Sequence, residues 1–431
     1  MWFRCVAALA VMCAVPCVPA RAQSSPASAS PLSLDEAFTR VASTHPDLRL
    51  FGARHDVLLA EREQAALRPA WTAGAELENV LGSGQARGLE RAELTISLAS
   101  VFECGGKLDA RKALAQARID AGAIARESRR LDLLAETARR YLAVVAANEQ
   151  RTLAAVDIAQ RKRTVSAARK RLDAGASPES VVLTAQAALA RAELALARSE
   201  HQFVAARQHL AALWGERAPS FAIASSRVPE LPRIAELPAL SAWLERTPEL
   251  QQFASEQRVR EARLQLARSE ARADIDWSIG VRGFQEGDDV GLVAAVSMPL
   301  GASARARPAI RVAEAELASL GIERESLDIA LYSTLVEAHG RYRIAQQEVV
   351  RLRDDVVPRL VRAEAAAERA YLAGAISYLE WAQLQSETTA ARKQQLDAAL
   401  DAHGALIELQ RLTGTSLLDD GPASISGGTE P

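Results

Sequence analysis

From Trp71 to Glu78 apolar and polar residues alternate, with Trp71, Ala73, Ala75 and Leu77 on one side and Thr72, Gly74, Glu76 and Glu78 on the other. A glycine-rich stretch (Gly82, Gly84, Gly88) interrupts the pattern, which resumes with Ala92, Leu94, Ile96 and Leu98 against Glu93, Thr95 and Ser97. Period two on both sides of a loop predicts a β-hairpin. A second hairpin is expected where Ile275, Trp277, Ile279 and Val281 alternate with Asp276, Ser278, Gly280 and Arg282, and Glu286-Gly287-Asp288-Asp289 turns into Leu292, Ala294, Val296 and Met298. One apolar face opposite one polar or small face fits a transmembrane barrel strand, and it also fits a soluble sheet with one buried side. Four strands cannot close a barrel, and open edges are not tolerated in lipid. Either the sheet is soluble or several chains pool their strands, three chains giving twelve.

Elsewhere the period is helical and the stretches are long. Residues 107–172 contain no proline and one glycine, Gly122, a rod of roughly 100 Å. The rod stops at Gly175, and Ser177-Pro178-Glu179 restarts a half-length helix over 178–213 with Ser177 as cap and Pro178 at the first helical position. After Pro219, Pro229, Pro232 and Pro238, another half-length helix is expected over 239–272. The two short helices together match the long one and would lie end to end beside it. The same arithmetic pairs a long helix at 304–372 with short ones at 33–68 and 378–412, the first opened by Ser33 and Glu36 as a capping box and stopped by Pro69. Ala185, Ala188, Ala192 and Ala195 follow three-four spacing, which predicts a close-packed coiled-coil seam.

A repeat organises these elements. Ala174-Gly175-Ala176-Ser177 returns as Ala373-Gly374-Ala375-Ile376-Ser377, Leu213-Trp214-Gly215 as Leu412-Thr413-Gly414, and His45-Pro46-Asp47-Leu48 as Thr247-Pro248-Glu249-Leu250, at offsets near 200. That period is too long for a solenoid and implies duplication of one half.

Composition narrows the class. Aromatics are 4% of the 431 residues and Ala, Arg, Glu and Leu dominate, the mixture of long helices packed through small side chains. A formal net charge of −2 excludes the basic character of a nucleic-acid binder. Arg4, the apolar run 5–15 and Ala20-Arg21-Ala22 read as an export signal ending near residue 22; Cys17 is a minor candidate for lipidation. Removing that segment takes Cys5, Cys13 and Cys17 with it and leaves Cys104 alone, so no disulfide framework is expected. The six histidines are scattered, no phosphate-binding loop precedes a Lys-Ser/Thr pair, and no catalytic, cofactor or metal-ligand set is expected.

The order helix, hairpin, long helix, glycine tip, half helix, then all of it again, resembles the TolC family of outer-membrane efflux proteins over residues 32–415. The residues that carry the resemblance are Leu32-Ser33-Leu34-Asp35-Glu36-Ala37 with His45-Pro46, the tips at Gly175 and Gly374, and the Leu-x-Gly closures at Leu213 and Leu412. Gly105-Gly106-Lys107 with Ala110-Arg111 is similar to the heavy-metal, CzcC-like branch of RND tripartite systems, whereas Gly301-Ala302-Ser303 after Met298-Pro299-Leu300 departs from the family's pattern of a further Pro and an aromatic. The resemblance implies a mainly α fold with a small transmembrane β part, a long coiled-coil helical barrel with two hairpins per chain and a twelve-stranded barrel in a homotrimer. It implies a passive outer-membrane exit duct, with outer-membrane lipid around the barrel and a periplasmic adaptor (membrane fusion) protein and an inner-membrane RND pump as partners; heavy-metal cations are the expected cargo. A duct for drugs, organic compounds or a secreted polypeptide, or a soluble periplasmic scaffold, are the competing readings.

On that reading the chain divides into a signal peptide (1–22), a flexible linker (23–31), a first helix (32–69), hairpin 1 (70–103), a helical hairpin with its tip near 175 (104–214), an equatorial linker (215–238), a helix (239–273), hairpin 2 (274–300), a second helical hairpin with its tip near 374 (304–414) and a disordered tail (415–431). The resemblance places adaptor docking at Leu172, Gly175, Ala176 and Ser177 and at Leu372, Gly374, Ala375, Ile376 and Ser377. It puts Glu380 at the pore entrance, where threefold symmetry would make a carboxylate ring favouring cations. The basic run Arg161, Lys162, Arg163, Arg169, Lys170 and Arg171 is expected to be a solvated helix face.

Overall fold

The computed structural model describes residues 31–84, 87–223, 228 and 230–414; the expected signal peptide, nearly all of the 23–31 linker and the 415–431 tail lie outside the described residues. The first helix, α1 (Leu34–Thr44), is capped by the Ser33 hydroxyl, which accepts from the Glu36 amide at 3.1 Å. The helix expected over 33–68 is in fact two, because α2 (Pro46–Ala65) begins at a proline. Pro46 has no amide to continue the ladder and its ring forces His45 into an extended conformation. The counterpart helix divides in the same way, into α5 (Leu237–Leu244) and α6 (Pro248–Ser269), with Thr247 as N-cap. The echo of His45-Pro46 by Thr247-Pro248 is therefore a helix break present in both halves.

Strands β1 (Thr72–Glu78), β2 (Glu93–Phe102), β3 (Ile275–Phe284) and β4 (Asp289–Ser297) form an antiparallel sheet in the order β1-β2-β3-β4. The β2–β3 pairing, Leu98 opposite Ile279 and Ile96 opposite Val281, joins the two halves of the sequence. Between the hairpins run α3 (Lys107–Asp173) and α4 (Glu179–Ala211). After β4 come α7 (Ala302–Arg351), a five-residue π turn (Leu352–Val356), α8 (Val357–Leu372) and α9 (Tyr378–Thr413). Pro178 acts as N-cap of α4 rather than as its first helical residue, and no side chain caps that helix.

The π turn corrects the expectation of one regular helix over 304–372. Pro358 cannot donate an amide, and its ring would strike the carbonyl four residues earlier in a tight α-turn. Widening the turn by one residue relieves this and leaves its mark on packing. The buried stripe of α7 steps by four and three through Leu331, Leu335, Ala338, Tyr342, Ala345, Val349 and Leu352. It then skips five to Val357 and returns to three-four steps at Leu360, Glu364, Ala367 and Tyr371. One inserted residue keeps a single face of a very long helix turned to its neighbours.

The seam of α4 is also displaced from its expected position. Its inward residues are Val182, Ala185, Leu189, Ala192, Leu196, Ser199, Phe203, Ala206 and Leu210, a strict heptad alternating large and small side chains. Ala185 and Ala192 belong to it, but Ala188 lies beside it and Ala195 faces outward. Large residues filling the spaces left by small ones give close helix approach without voids.

Helix packing builds a wall one element thick. Next to the sheet the contacts run α2–α3–α6–α7, and toward the tips they run α4–α3–α9–α8. Both α4 and α6 lie along α3, as the length arithmetic requires, but α2 packs on α3 rather than on the long helix of the other half. A belt of apolar clusters at mid-height ties the layers together. Leu32, Val41, Val144, Leu210 and Phe221 pack in one half, and Leu240, Leu335, Tyr342, Leu406 and Leu409 in the other.

The sheet meets the wall at a polar joint. Lys107 pairs with Asp274 at 2.7 Å, the Cys104 amide donates to Asp274 at 3.0 Å, and Arg111 pairs with Glu103. Gly105 has φ +80°, and a Cβ there would lie 2.6 Å from Arg272 Cγ and 2.9 Å from the Ser269 carbonyl. The Gly-Gly-Lys…Ala-Arg motif is thus a structural joint. Gly105→Ala is expected to destabilise the fold by about 2–4 kcal/mol, from left-handed backbone strain plus a contact with backbone that cannot yield; a shift in thermal midpoint under a degree would contradict it.

Candidate functional site: an inside-out sheet and two helical tips

Cross-strand partners share a face, so the register assigns every strand residue to one side. On one side lie Leu77, Leu94, Ile96, Leu98, Phe102, Ile279, Val281, Val290, Leu292 and Val296, all of them exposed. The other side carries Glu76, Glu78, Glu93, Thr95, Ser97, Asp276, Ser278, Arg282 and Asp289. Burial is inverted: Ile96 is 61% exposed while its neighbour Thr95 is 5% exposed. A water-soluble sheet places its apolar face against a core, and this one presents it outward. On the polar side Arg282 bridges Glu78 at 2.8 Å and Glu93 at 3.0 Å and donates to Thr95 at 2.8 Å. At the helix-proximal end Trp71 stacks edge-on to Trp277 with ring centres 5.3 Å apart, beside Phe102, in the manner of an aromatic girdle at a membrane interface.

The wall ends in unsatisfied edges. One edge comprises β1, α2 and α4, the other β4, α7 and α8. The uncovered face of α4 steps by four and three through Leu183, Ala187, Ala190, Leu194, Ala197, His201 and Val204, a second heptad beside the buried one. At the opposite edge α7 exposes Ile322, Ile329, Tyr332 and Val336, and α8 exposes Val361 and Leu372. A helix with seams on two sides packs between two neighbours. Glu179–Trp214 is long and apolar enough to cross a membrane by composition alone; the paired seams account for that apolarity.

The tips are built alike. At the first, the Ala176 amide donates to the Arg171 carbonyl at 2.8 Å and the Gly175 amide to Leu172 at 2.8 Å; at the second, Ala375 donates to Ala370 at 2.8 Å and Gly374 to Tyr371 at 3.0 Å. Both are Schellman turns whose glycines hold positive φ, 68° and 82°. Gly175, Ala176, Leu372, Gly374, Ala375, Ser377 and Glu380 are exposed, whereas Leu172, Ser177 and Ile376 are half-buried. Leu172 and Ile376 pack against a core of Val165, Ala168, Val182, Tyr371, Tyr378 and Trp381.

Glu380 closes a capping box. Its carboxylate accepts from the Ser377 amide and hydroxyl, each at 2.8 Å, and its own amide donates to Ser377 Oγ at 3.3 Å. The Ser377 amide, then its hydroxyl, hold the Glu380 carboxyl below the usual range, so its charge survives mild acid and is lost only as pH falls through that lowered value. Local helix capping therefore accounts for this residue by itself. Glu380→Gln separates the two roles, since glutamine also completes the box. If the carboxylate lines a pore, the variant keeps its fold and loses cation preference in planar-bilayer conductance; unchanged ion selectivity leaves the capping role alone.

Two residues of the basic run are not solvated. Arg161 is buried, reaching Asp157 at 3.2 Å, Gln385 at 3.4 Å and Ser386 at 3.3 Å, while Thr164 bonds Gln385. Arg171 crosses between the tips, donating to the Tyr371 carbonyl and stacking on its ring at 4.8 Å. Lys162, Arg163, Arg169 and Lys170 are exposed as expected. The signal for this polar layer is Gln385 standing in the buried stripe of Tyr378, Trp381 and Thr388. Leu379, exposed beside Glu380, is a further tip residue that periodicity alone did not single out. Among the described residues no group of three or more His, Cys, Asp or Glu is placed to hold a metal ion.

Residues 40–216 match the family described as outer membrane efflux protein. The cobalt-zinc-cadmium resistance protein CzcC of Cupriavidus metallidurans is 26% identical over 313 residues, covering 73% of this chain and 75% of the relative. The nickel and cobalt resistance protein CnrC of the same organism is 27% identical over 226 residues, 52% of this chain and 53% of its own length. The crystal structure of CusC, described in terms of transmembrane channel formation, superimposes with a TM-score of 0.73 at 16% identity, covering 88% of this chain and 91% of that one.

Proposed function

The chain carries the outer membrane efflux protein domain, and from that premise we propose that three copies close their sheets into one twelve-stranded barrel and their walls into a periplasmic tunnel. The inside-out sheet carries this reading. Its apolar face matches lipid, and its open edges match each other: β1 and β4 run antiparallel, so the β4 of one copy continues into the β1 of the next with the same pairing throughout. The same closure sets the α4 and α2 of one copy against the α8 and α7 of its neighbour, covering the second seam of α4 and giving α2 the long helix α7 as a second neighbour beside its own α3.

The assembly is a transport duct and not an enzyme. It moves solute down a gradient maintained elsewhere, by an inner-membrane RND pump joined through a periplasmic adaptor that seats on the two tips. Leu372, Leu379, Ala176 and Ala375 present small and apolar surface there, framed by the half-buried Leu172, Ile376 and Ser177 and by Gly175, Gly374 and Ser377. Heavy-metal cations are the cargo. Support comes from the kinship with CzcC and CnrC and from the charge of the barrel interior, where, among the paired strand residues, Glu76, Glu78, Glu93, Asp276 and Asp289 stand on the same side as Arg282. Carboxylate rings of this kind raise the local concentration of cations and let them pass without capture. Deletion of the gene is expected to lower tolerance to cobalt, zinc, cadmium or nickel and leave tolerance to organic drugs unchanged. Loss of drug tolerance alone would replace the cargo while leaving the duct.

A further inference from the structure

The segments that join the sheet to the wall carry charge out of balance. Two of their carboxylates, Glu103 and Asp274, are neutralised by Arg111 and Lys107. Asp109 and Glu270 remain, against exposed Arg68, Lys112, Arg272, Arg305 and Arg307. These five cations form no ion pair among the described residues. Arg68 precedes β1, Arg272 precedes β3 and Arg305 follows β4, so three of the four strands bring an unpaired arginine to this rim. Two are held there: Arg305 Nη2 donates to the Leu300 carbonyl at 2.7 Å, and the Arg272 stem packs over Gly105. Next to them Leu67, Trp71, Phe102, Met298 and Leu300 are exposed and border the apolar face of the sheet. The far end of the hairpins is different, because Glu90, Glu286, Asp288 and Asp289 there outnumber Arg87 and Arg91. The cationic collar therefore belongs to the wall-side rim and not to the sheet as a whole.

We propose that this collar binds the phosphates of anionic phospholipids in the leaflet nearer the wall, with Arg68, Arg272 and Arg305 as the contacting cations. Guanidinium groups bond phosphate oxygens in pairs. Arginine stems also lie along apolar surface while their heads stay at its polar boundary, which suits a rim bordered by Trp71, Phe102 and Leu300. Closure of the barrel adds a second reason. It sets the start of β1 in one copy beside the end of β4 in the next and so brings Arg68 of the one toward Arg305 of the other. The joining segments 66–71 and 298–307 contain no Asp or Glu to offset that pair. A lipid phosphate entering the seam offsets both charges, and juxtamembrane cations attract anionic headgroups in this way. The proposal rests on the sheet standing in a bilayer and is independent of what the duct transports.

The test reconstitutes the full-length protein in nanodiscs of phosphatidylethanolamine mixed with phosphatidylglycerol and counts the lipids it retains by native mass spectrometry. The parent protein is expected to retain phosphatidylglycerol over phosphatidylethanolamine by roughly fivefold or more, the enrichment that one cation at an anionic surface supplies. In Arg68→Gln/Arg272→Gln/Arg305→Gln the ratio should fall toward one while the mass of the assembly is unchanged. Lys162→Gln/Arg163→Gln, exposed cations far along α3, should keep the parent ratio. The parent gives an independent reading, since a preference set by exposed charge weakens with added salt. Equal retention of the two lipids, a triple variant that keeps the parent ratio, or a ratio indifferent to salt would overturn the proposal. Loss of the preference with inorganic phosphate, but not with chloride at equal ionic strength, would assign the site to a free anion and overturn the lipid. Failure to insert in any bilayer would bring down the barrel together with the collar, whereas an inserted trimer that holds both lipids equally overturns the collar alone.

Discussion

Ile279→Lys is expected to abolish assembly in the outer membrane, whereas Ser278→Lys, one residue away, leaves it intact. The two side chains stand on opposite faces of β3, Ile279 beside Leu98 and Ala294 on the apolar side and Ser278 beside Ala99 and Ala295 on the polar side. A lysine on the lipid side near the middle of the bilayer costs about 2–4 kcal/mol per copy, and three copies bear it at once. Lysine at 278 extends into a wet interior already holding an excess of carboxylates. Heat-modifiable trimer bands from outer-membrane fractions read the result. A soluble sheet would show the reverse ranking, or none.

Trp381→Ala is expected to have the second largest effect and to act at the other end of the molecule. Trp381 is 1% exposed, stacks on Tyr371 at 5.1 Å, and shares its cluster with Val165, Ala168, Val182 and Tyr378. Truncating a buried tryptophan costs about 3–5 kcal/mol through lost contacts and the cavity left behind. The belt of clusters at mid-height and the sheet are remote from it, so the loss is local. Hydrogen exchange in α8 and the first half of α9 should accelerate while the mass of the assembly is unchanged, and efflux should fail because the tips no longer present a fixed surface. Exchange rates equal to those of the parent protein would show that this cluster does not hold the tip.

Much of the fold is legible in the amino-acid sequence, and for identifiable reasons. Alternation in the hairpins survives because each strand faces two different solvents, so both faces are under constraint. The tips are legible because a Schellman turn needs glycine at one place, and Gly175 and Gly374 stand there. The helix breaks at Pro46 and Pro248 show in the sequence as a repeat, and each proline, inside a stretch expected as one helix, stands in the structure at the first turn of a new one. The π turn before Pro358 could not be read, since a one-residue insertion in a heptad is seen only against a known burial pattern. Two of the four expected seam positions of α4 hold and two are one residue off, Leu189 and Leu196 standing in place of Ala188 and Ala195, because alanine occupies both inner and outer stripes and only packing tells them apart. The site at the tips is less legible than the fold. Arg161 and Arg171 look like their solvated neighbours in a basic run, and their buried partners, Gln385 and Tyr371, lie about two hundred residues away. Glu380 was legible as an acidic residue after a glycine turn, but its bond to Ser377 is a local matter of helix capping that any trimeric role must share.

The duct depends on closure of an open wall by copies of itself. The direct test is the mass of the detergent-extracted protein from the outer-membrane fraction, measured by native mass spectrometry. The account predicts a trimer that persists in Ser278→Lys and is lost in Ile279→Lys. A monomer recovered from the soluble periplasm would contradict it, and the exposed face of the sheet would then need another explanation.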